Sequence, residues 1–191
     1  AAKIASWIEQ EKGLAIYKFY LNDILRRKAH TGTAAEEKII ADASLVSDAA
    51  SSVYGIFTNA DFPYPEVKLT DGKTVKLDKA AYELYRAGSN RDDRKIVFRE
   101  FFAKLNQFRA TFGTTIYGEV KKNMFYAKAQ KYNSAIERAL DGSNIPVPVY
   151  KSLVANANSN LRTLHRYLAL RKRMLGVDTL HYYDLYAPLL K

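Results

Sequence analysis

The stretch TAAEEKIIADASLVSDAASSVYGIF, Thr33 to Phe57, decides the class of the fold. It opens with Thr33-Ala34-Ala35-Glu36, the spacing of a capping box. There the threonine hydroxyl accepts a backbone N–H one turn on, and the glutamate reaches back to the threonine N–H. Beyond it Ile39, Ala43, Val46, Ala50, Val53 and Phe57 recur at alternating steps of four and three. Those steps stack side chains on one face of an α-helix, whereas a strand needs alternation at every second residue. The spacing predicts a long helix with one apolar stripe.

The flanking sequence extends this reading. Upstream, Ile4, Trp7, Ile8, Leu14, Tyr17, Leu21, Ile24 and Leu25 form a second helical stripe. It ends at Arg26-Arg27-Lys28, where cations suit the negative end of the helix dipole. Thr31-Gly32 is the natural corner of an αα-hairpin between the two. Downstream, Asp61-Phe62-Pro63-Tyr64-Pro65 forbids further helix. Glu66–Thr70 and Lys73–Leu77 then alternate apolar and polar residues around Asp71-Gly72, the pair that favours a type I′ turn. A lone two-stranded hairpin is marginal in water, so it is expected to lie against helices.

Asp78 is placed to cap a short helix over 80–86, and Asn90 to cap the longest one. Val97, Phe101, Leu105, Phe108 and Phe112 give that helix its stripe, and Ile116, Val120, Met124 and Ala127 continue a similar period beyond Gly113, which leaves open whether the helix carries on or kinks there. A second capping box, Ser134 to Glu137, starts a short helix ending at Asp141-Gly142. Pro146 and Pro148 fit the first turn of the next, since proline lacks only a donor that is unpaired there anyway. Leu153, Ala157, Leu161, Leu164, Leu168 and Leu175 mark the C-terminal helices, stopped by Gly176. The fold class expected is all-α, a multi-helix domain over 1–191 with one small β-hairpin at 66–77.

Composition narrows the function. With 191 residues, 48% hydrophobic and 26% charged, the chain can bury a core and is not of disordered type. The absence of cysteine excludes disulfide scaffolds, thiolate zinc sites and cysteine nucleophiles, and fits a reducing compartment. No apolar run approaches the ~20 residues of a membrane-spanning helix. Ala1-Ala2-Lys3-Ile4 has neither an initiator Met nor a signal-peptide layout, so the chain is expected to begin inside a longer protein.

Charge is lopsided: residues 1–84 carry 11 basic and 12 acidic side chains, residues 85–191 carry 19 and 8. Between 151 and 177, Lys151, Arg162, Arg166, Arg171, Lys172 and Arg173 meet no acid at all. A solvated or protein-facing surface is the ordinary reading of such a run, and a basic nucleic-acid-binding or scaffold module is the alternative.

Chemical motifs are scarce. His30, His165 and His181 include no i,i+4 pair, and His-Glu-x-x-His is absent. His181 and Asp184 could face one another on a local helix, but two ligands do not hold zinc. No phosphate loop, dinucleotide glycine fingerprint or nucleophile elbow occurs. Glu36-Glu37 and Asp92-Asp93 lie in first helical turns, which the dipole already explains. The 14 tyrosines are densest at His181-Tyr182-Tyr183-Asp184-Leu185-Tyr186, where hydroxyls could meet a peptide carbonyl or simply pack.

Several stretches resemble one family. They are Ala43–Asp48 through Tyr54–Asn59, the hairpin with Leu77–Tyr82, Thr111–Thr115, Asn123–Lys128, His165–Leu168 through Lys172–Gly176, and Leu180–Tyr186. In this order they resemble the oligoendopeptidase F group, the bacterial branch of the thimet-oligopeptidase-like zinc endopeptidases. The resemblance implies hydrolysis of short peptides by one zinc, held by two histidines and a more distant glutamate. It also implies a glutamate base, with a tyrosine and a histidine stabilising the tetrahedral intermediate.

All of those residues follow the Tyr-Asp-Leu-Tyr region in the family, so no catalytic, cofactor-binding or metal residue is assigned here. Zinc is expected in the full-length parent and not in this chain. By the same resemblance, the chain is the N-terminal to middle portion, a wall of a channel that admits short peptides, with Tyr182, Tyr183, Asp184 and Tyr186 approaching the channel. Its expected partners are short peptides and the missing catalytic half, with no membrane. Nucleic acid is the less favoured partner. Exposed apolar faces would favour self-association, and the expected location is the cytoplasm.

Overall fold

In the computed structural model, which describes residues 2–189, the first apolar stripe does not form one helix. Helix α1 (Ala2–Gln10) stops at Glu11, whose backbone is extended, and a 3-10 segment at Lys12–Tyr17 leads into α2 (Lys18–Arg27). Gly13 and the charged pair Glu11-Lys12 give this break little to oppose it. The break lets α1 pack back on α2.

The helix over 34–57 is also segmented, as α3 (Ala34–Asp42), α4 (Ser44–Ser47) and α5 (Ala49–Ile56), ending in a π-turn at Phe57–Asp61. Its start is as the sequence implies. Thr33 Oγ1 accepts the Glu36 N–H at 3.3 Å, and Glu36 Oε2 accepts the Thr33 N–H at 2.6 Å. The apolar stripe, by contrast, is half covered: Ala43, Ala50 and Phe57 are partly buried while Ile39, Val46 and Val53 are exposed.

The hairpin pairs β1 (Glu66–Lys68) with β2 (Thr74–Lys76) antiparallel, Val67 opposite Val75. Its turn is longer than the type I′ reading. Leu69 O accepts the Gly72 N–H at 3.0 Å, Leu69 N–H donates to Lys73 O at 2.8 Å, and of the loop residues only Gly72 has positive φ. This is the three-residue loop with glycine in the left-handed position. The Thr70 N–H is taken by Asp93 Oδ1 at 2.7 Å, which ties the loop to the helix that follows.

Asp78 caps α6 (Lys79–Tyr85) through the Ala81 N–H, and Asn90 caps α7 (Arg91–Gln107) through the N–H groups of Asp92 and Asp93. Of the two outcomes open at Gly113 the helix carries on, since α8 (Arg109–Ala129) runs through it, while an unexpected break falls at Phe108, after α7. Ser134 caps α9 (Ala135–Asp141), but Glu137 bonds the Asn133 N–H and not that of Ser134, so only half of the second box forms. Helix α10 (Val147–Ser159) holds Pro148 in its first turn. Helix α11 (Leu161–Leu175) ends at Gly176 with φ of 63°.

Backbone contacts divide the chain into two units, residues 1–50 with 117–147 and residues 51–116 with 148–191. In the second unit the hairpin is a lid on helices: Val67, Leu69, Val75 and Leu77 pack with Tyr82 of α6 and Val97 and Phe101 of α7. Leu77 and Val97 are wholly buried, each worth about 1.5–3 kcal/mol of transfer free energy. In the first unit, Ile8 and Ala127 are buried. Many large apolar side chains face solvent, Ile16, Phe19, Leu45 and Leu153 among the most open.

Candidate functional site

The tyrosine-rich segment is fixed by ionic bonds. After Gly176 the chain leaves α11 in a Schellman stop, with the Val177 N–H on Lys172 O and the Gly176 N–H on Arg173 O. It then runs along α7 to a 3-10 turn at Tyr182–Asp184. Asp184 is completely buried. Arg91 and Arg94, one turn apart at the start of α7, close on its carboxylate. Arg91 Nε and Nη2 donate at 3.1 and 3.0 Å, and Arg94 Nη2 at 3.1 Å. The His181 N–H adds a fourth bond at 3.0 Å.

The same guanidiniums hold backbone. Arg91 donates to Thr179 O, and Arg94 to the carbonyls of Tyr183, Gly88 and Ser89. From α11, buried Arg171 donates to the carbonyls of Asp184 and Ala187 and to the Tyr167 hydroxyl. Burial alone would push the Asp184 carboxyl up, but Arg91, the His181 N–H and Arg94 together hold it down, at about 2.

This clamp decides what each neighbour presents. The Tyr183 ring stacks on His181 at 5.0 Å and lies 6.1 Å from Phe98, so it is half-buried. Tyr182 leans on Phe98 at 5.5 Å and Tyr186 carries the Arg86 guanidinium at 3.8 Å over its ring, yet both remain about half exposed. Tyr182 and Tyr186 therefore present exposed ring surface, while Asp184 is buried beneath them. Arg91 and Arg94 carried no signal of their own in the sequence, and Arg171, read there as one of a surface basic run, is buried instead. Only the general need of a buried carboxylate for counter-charge points to them.

Zinc does not fit these residues. Both Asp184 oxygens are saturated by arginine and backbone donors, and the described residues hold no group of three or more His, Cys, Asp or Glu able to bind a metal. His30 is committed elsewhere: its ring stacks on Tyr132 at 3.7 Å and its Nδ1 meets Gln130 O at 3.1 Å.

A concavity lies in the first unit, an apolar groove of about 460 Å³ between α4–α5 and α8. Ala43, Val46, Ala50, Gly118 and Phe125 line it, and Gly118 is needed there because a Cβ would sit 2.7 Å from that of Ala50. Lys122 at its rim is spent on Asp48 and Glu119, so the groove has shape without convergent polar chemistry.

The sequence pattern described as peptidase family M3 matches residues 84–190, more than half of the chain. The chain belongs to peptidase family M3. The pattern described as oligopeptidase F matches residues 1–64. Among M3 relatives, oligopeptidase PepF of Bacillus subtilis is 36% identical over 189 residues, covering 99% of this chain and 28% of that protein. Group B oligopeptidase PepB of Streptococcus agalactiae is 34% identical over 96% of this chain and 31% of its own length. The crystal structure of oligoendopeptidase-F from Enterococcus faecium superposes with a TM-score of 0.88 at 35% identity, over all of this chain and 38% of that one. The family read from the ordered motifs is thus the family found. The chain spans less than a third of these curated relatives' length. No helix among the described residues is long and apolar enough to cross a membrane.

Proposed function

We propose that this chain is a non-catalytic part of an M3 peptidase that hydrolyses short peptides, and that its 181–186 segment borders the path the peptide takes. Full-length enzymes of the family work with zinc, whose chemistry is to activate water and polarise the scissile carbonyl. Here the chain's own residues do something else. Arg91, Arg94 and Arg171 hold a rigid turn, and the turn presents the Tyr182 and Tyr186 rings. A half-exposed tyrosine offers an apolar face to a peptide side chain and a hydroxyl to its backbone carbonyl. Fixing the turn beforehand lowers the entropy lost when a flexible peptide docks. The observation that carries the reading is this clamp beneath exposed aromatics, in a chain of the M3 family.

The test is a photo-crosslinking amino acid placed at Tyr182, at Tyr186 and, as a control, at exposed Lys76 of the hairpin, each irradiated with a nine-residue peptide. Crosslinks at 182 and 186 well above those at 76 are expected, and equal yields at all three positions would defeat the proposal. Zinc and a quenched peptide added to the chain alone should give no turnover. Chelator-sensitive cleavage would mean that the chain holds a catalytic site of its own.

A further inference from the structure

The aromatic surface beside the 181–186 turn holds an arginine that the clamp does not use. Arg86, which closes α6, places its guanidinium 3.8 Å from the centre of the Tyr186 ring and 5.5 Å from that of Tyr82. From Tyr82 the rings continue in contact: Tyr82 meets Phe102 at 5.8 Å, Phe102 meets Phe98 at 4.8 Å, and Phe98 meets Tyr182 at 5.5 Å. Arg86 therefore belongs to an aromatic shelf on which Phe102, Tyr182 and Tyr186 are exposed.

Its hydrogen bonding sets it apart. Arg91 and Arg171 each donate three hydrogen bonds and Arg94 donates four. The Arg86 side chain is only 22% exposed, yet it donates none among the described residues. Its one acidic neighbour there at ion-pair distance, Glu83, stands 3.6 Å away, longer than a hydrogen bond, and is itself 71% exposed. A surface pair of that kind contributes little. Among the described residues, the sealed side-chain atom left without a bond is Glu119 Oε1, so the unbonded nitrogens of Arg86 open to solvent. A guanidinium lying over a ring keeps its N–H edges free, and the ring keeps water off one face. What such an edge matches is a carboxylate, whose two oxygens accept a parallel pair of N–H bonds.

We propose that Arg86 is a carboxylate-binding residue of the peptide path. It grips a carboxylate of the peptide, at the chain end or on an acidic side chain, while the Tyr182 and Tyr186 rings take apolar parts. This rests on the peptide-path reading and adds a charge preference to it. An aromatic shelf alone would hold a neutral and an anionic peptide alike, whereas a guanidinium short of partners favours the anionic one.

The test measures, by fluorescence anisotropy, how the 191-residue chain binds nine-residue peptides carrying a neutral dye. Three peptides share one uncharged sequence: the first ends in a free carboxylate, the second in an amide, and the third is amidated with a single central glutamate. At least one anionic peptide should bind about tenfold tighter than the neutral amide, the worth of one charge-assisted pair of bonds. Whichever does so names the carboxylate that is held. Arg86→Gln should bring all three peptides to the level of the amide, and Arg86→Lys, which keeps the charge and loses the fork, should restore only part of the preference. Glu83→Gln, which removes the competing acid, should tighten the anionic peptides and leave the neutral one unchanged. Equal binding of all three peptides to wild type, or an Arg86→Gln chain that still prefers the anionic ones, would overturn the assignment. Crosslinking of the neutral amide peptide at positions 182 and 186 reads the peptide path by itself. Crosslinks without a carboxylate preference defeat the Arg86 assignment alone, and no crosslinks with any of the three defeat both.

Discussion

Replacing Asp184 with asparagine isolates the clamp. The ordinary carboxyl value is 3.8 and the folded one about 2, and each unit is worth about 1.4 kcal/mol, so ionic binding of Asp184 contributes about 2.5 kcal/mol near neutrality. The substitution also strands two guanidiniums. Arg91 is 42% exposed and can turn to water, whereas Arg94 is 3% exposed and keeps three carbonyls. Breaking a buried pair costs about 3–5 kcal/mol, and partial relief of Arg91 puts the expected loss near the low end, about 3 kcal/mol.

The pH dependence has a definite sign. A depressed carboxyl stabilises fully above its unfolded value, near 4, and loses that stabilisation as pH falls through about 2. Wild type should therefore lose about 1 kcal/mol from this group between pH 7 and pH 3, and Asp184→Asn should lose none from it. Urea unfolding of both proteins at both pH values, followed by far-UV circular dichroism, gives the comparison. The gap should be about 3 kcal/mol at pH 7 and about 1 kcal/mol smaller at pH 3. A gap within ~0.5 kcal/mol of zero, or one unchanged by pH, would refute the clamp as described.

Other outcomes follow from local geometry. Thr33→Ala removes the acceptor of the Glu36 N–H and should cost about 1 kcal/mol in chemical denaturation, with Thr33→Ser restoring most of it. Gly118→Val must push against Ala50 and should destabilise by about 1–3 kcal/mol, seen as a lower thermal midpoint. Tyr132, desolvated and donating to Asp141 at 2.7 Å, is pushed up to about 12. In an ultraviolet alkaline titration, Tyr132→Phe should therefore remove a late-ionising tyrosine and leave the main wave unchanged.

Local chemistry was legible in the sequence wherever partners lie within a turn. Thr33 with Glu36, Asp78 with Ala81 and Asn90 with Asp93 are all bonds across three positions, and each forms. The hairpin was legible from alternation, but not its loop, because a contact from Asp93 in α7 holds Thr70. Periodicity revealed the faces of the helices and not what covers them, so Ile39, Val46 and Val53 line up as read and still meet solvent. The breaks at Glu11 and Phe108 went unread because no proline marks them. The tyrosine-rich segment stands out in the sequence as a dense cluster. Its arginine clamp spans some ninety positions between α7 and Asp184, a distance no local pattern encodes.

Fluorine NMR of 3-fluorotyrosine at 182 and 186, titrated with a nine-residue unstructured peptide and with a folded protein of similar charge, tests the peptide-path proposal most directly. Saturable shifts of both resonances with the peptide and none with the folded protein are predicted. Resonances that stay still, or that respond equally to both, would contradict it.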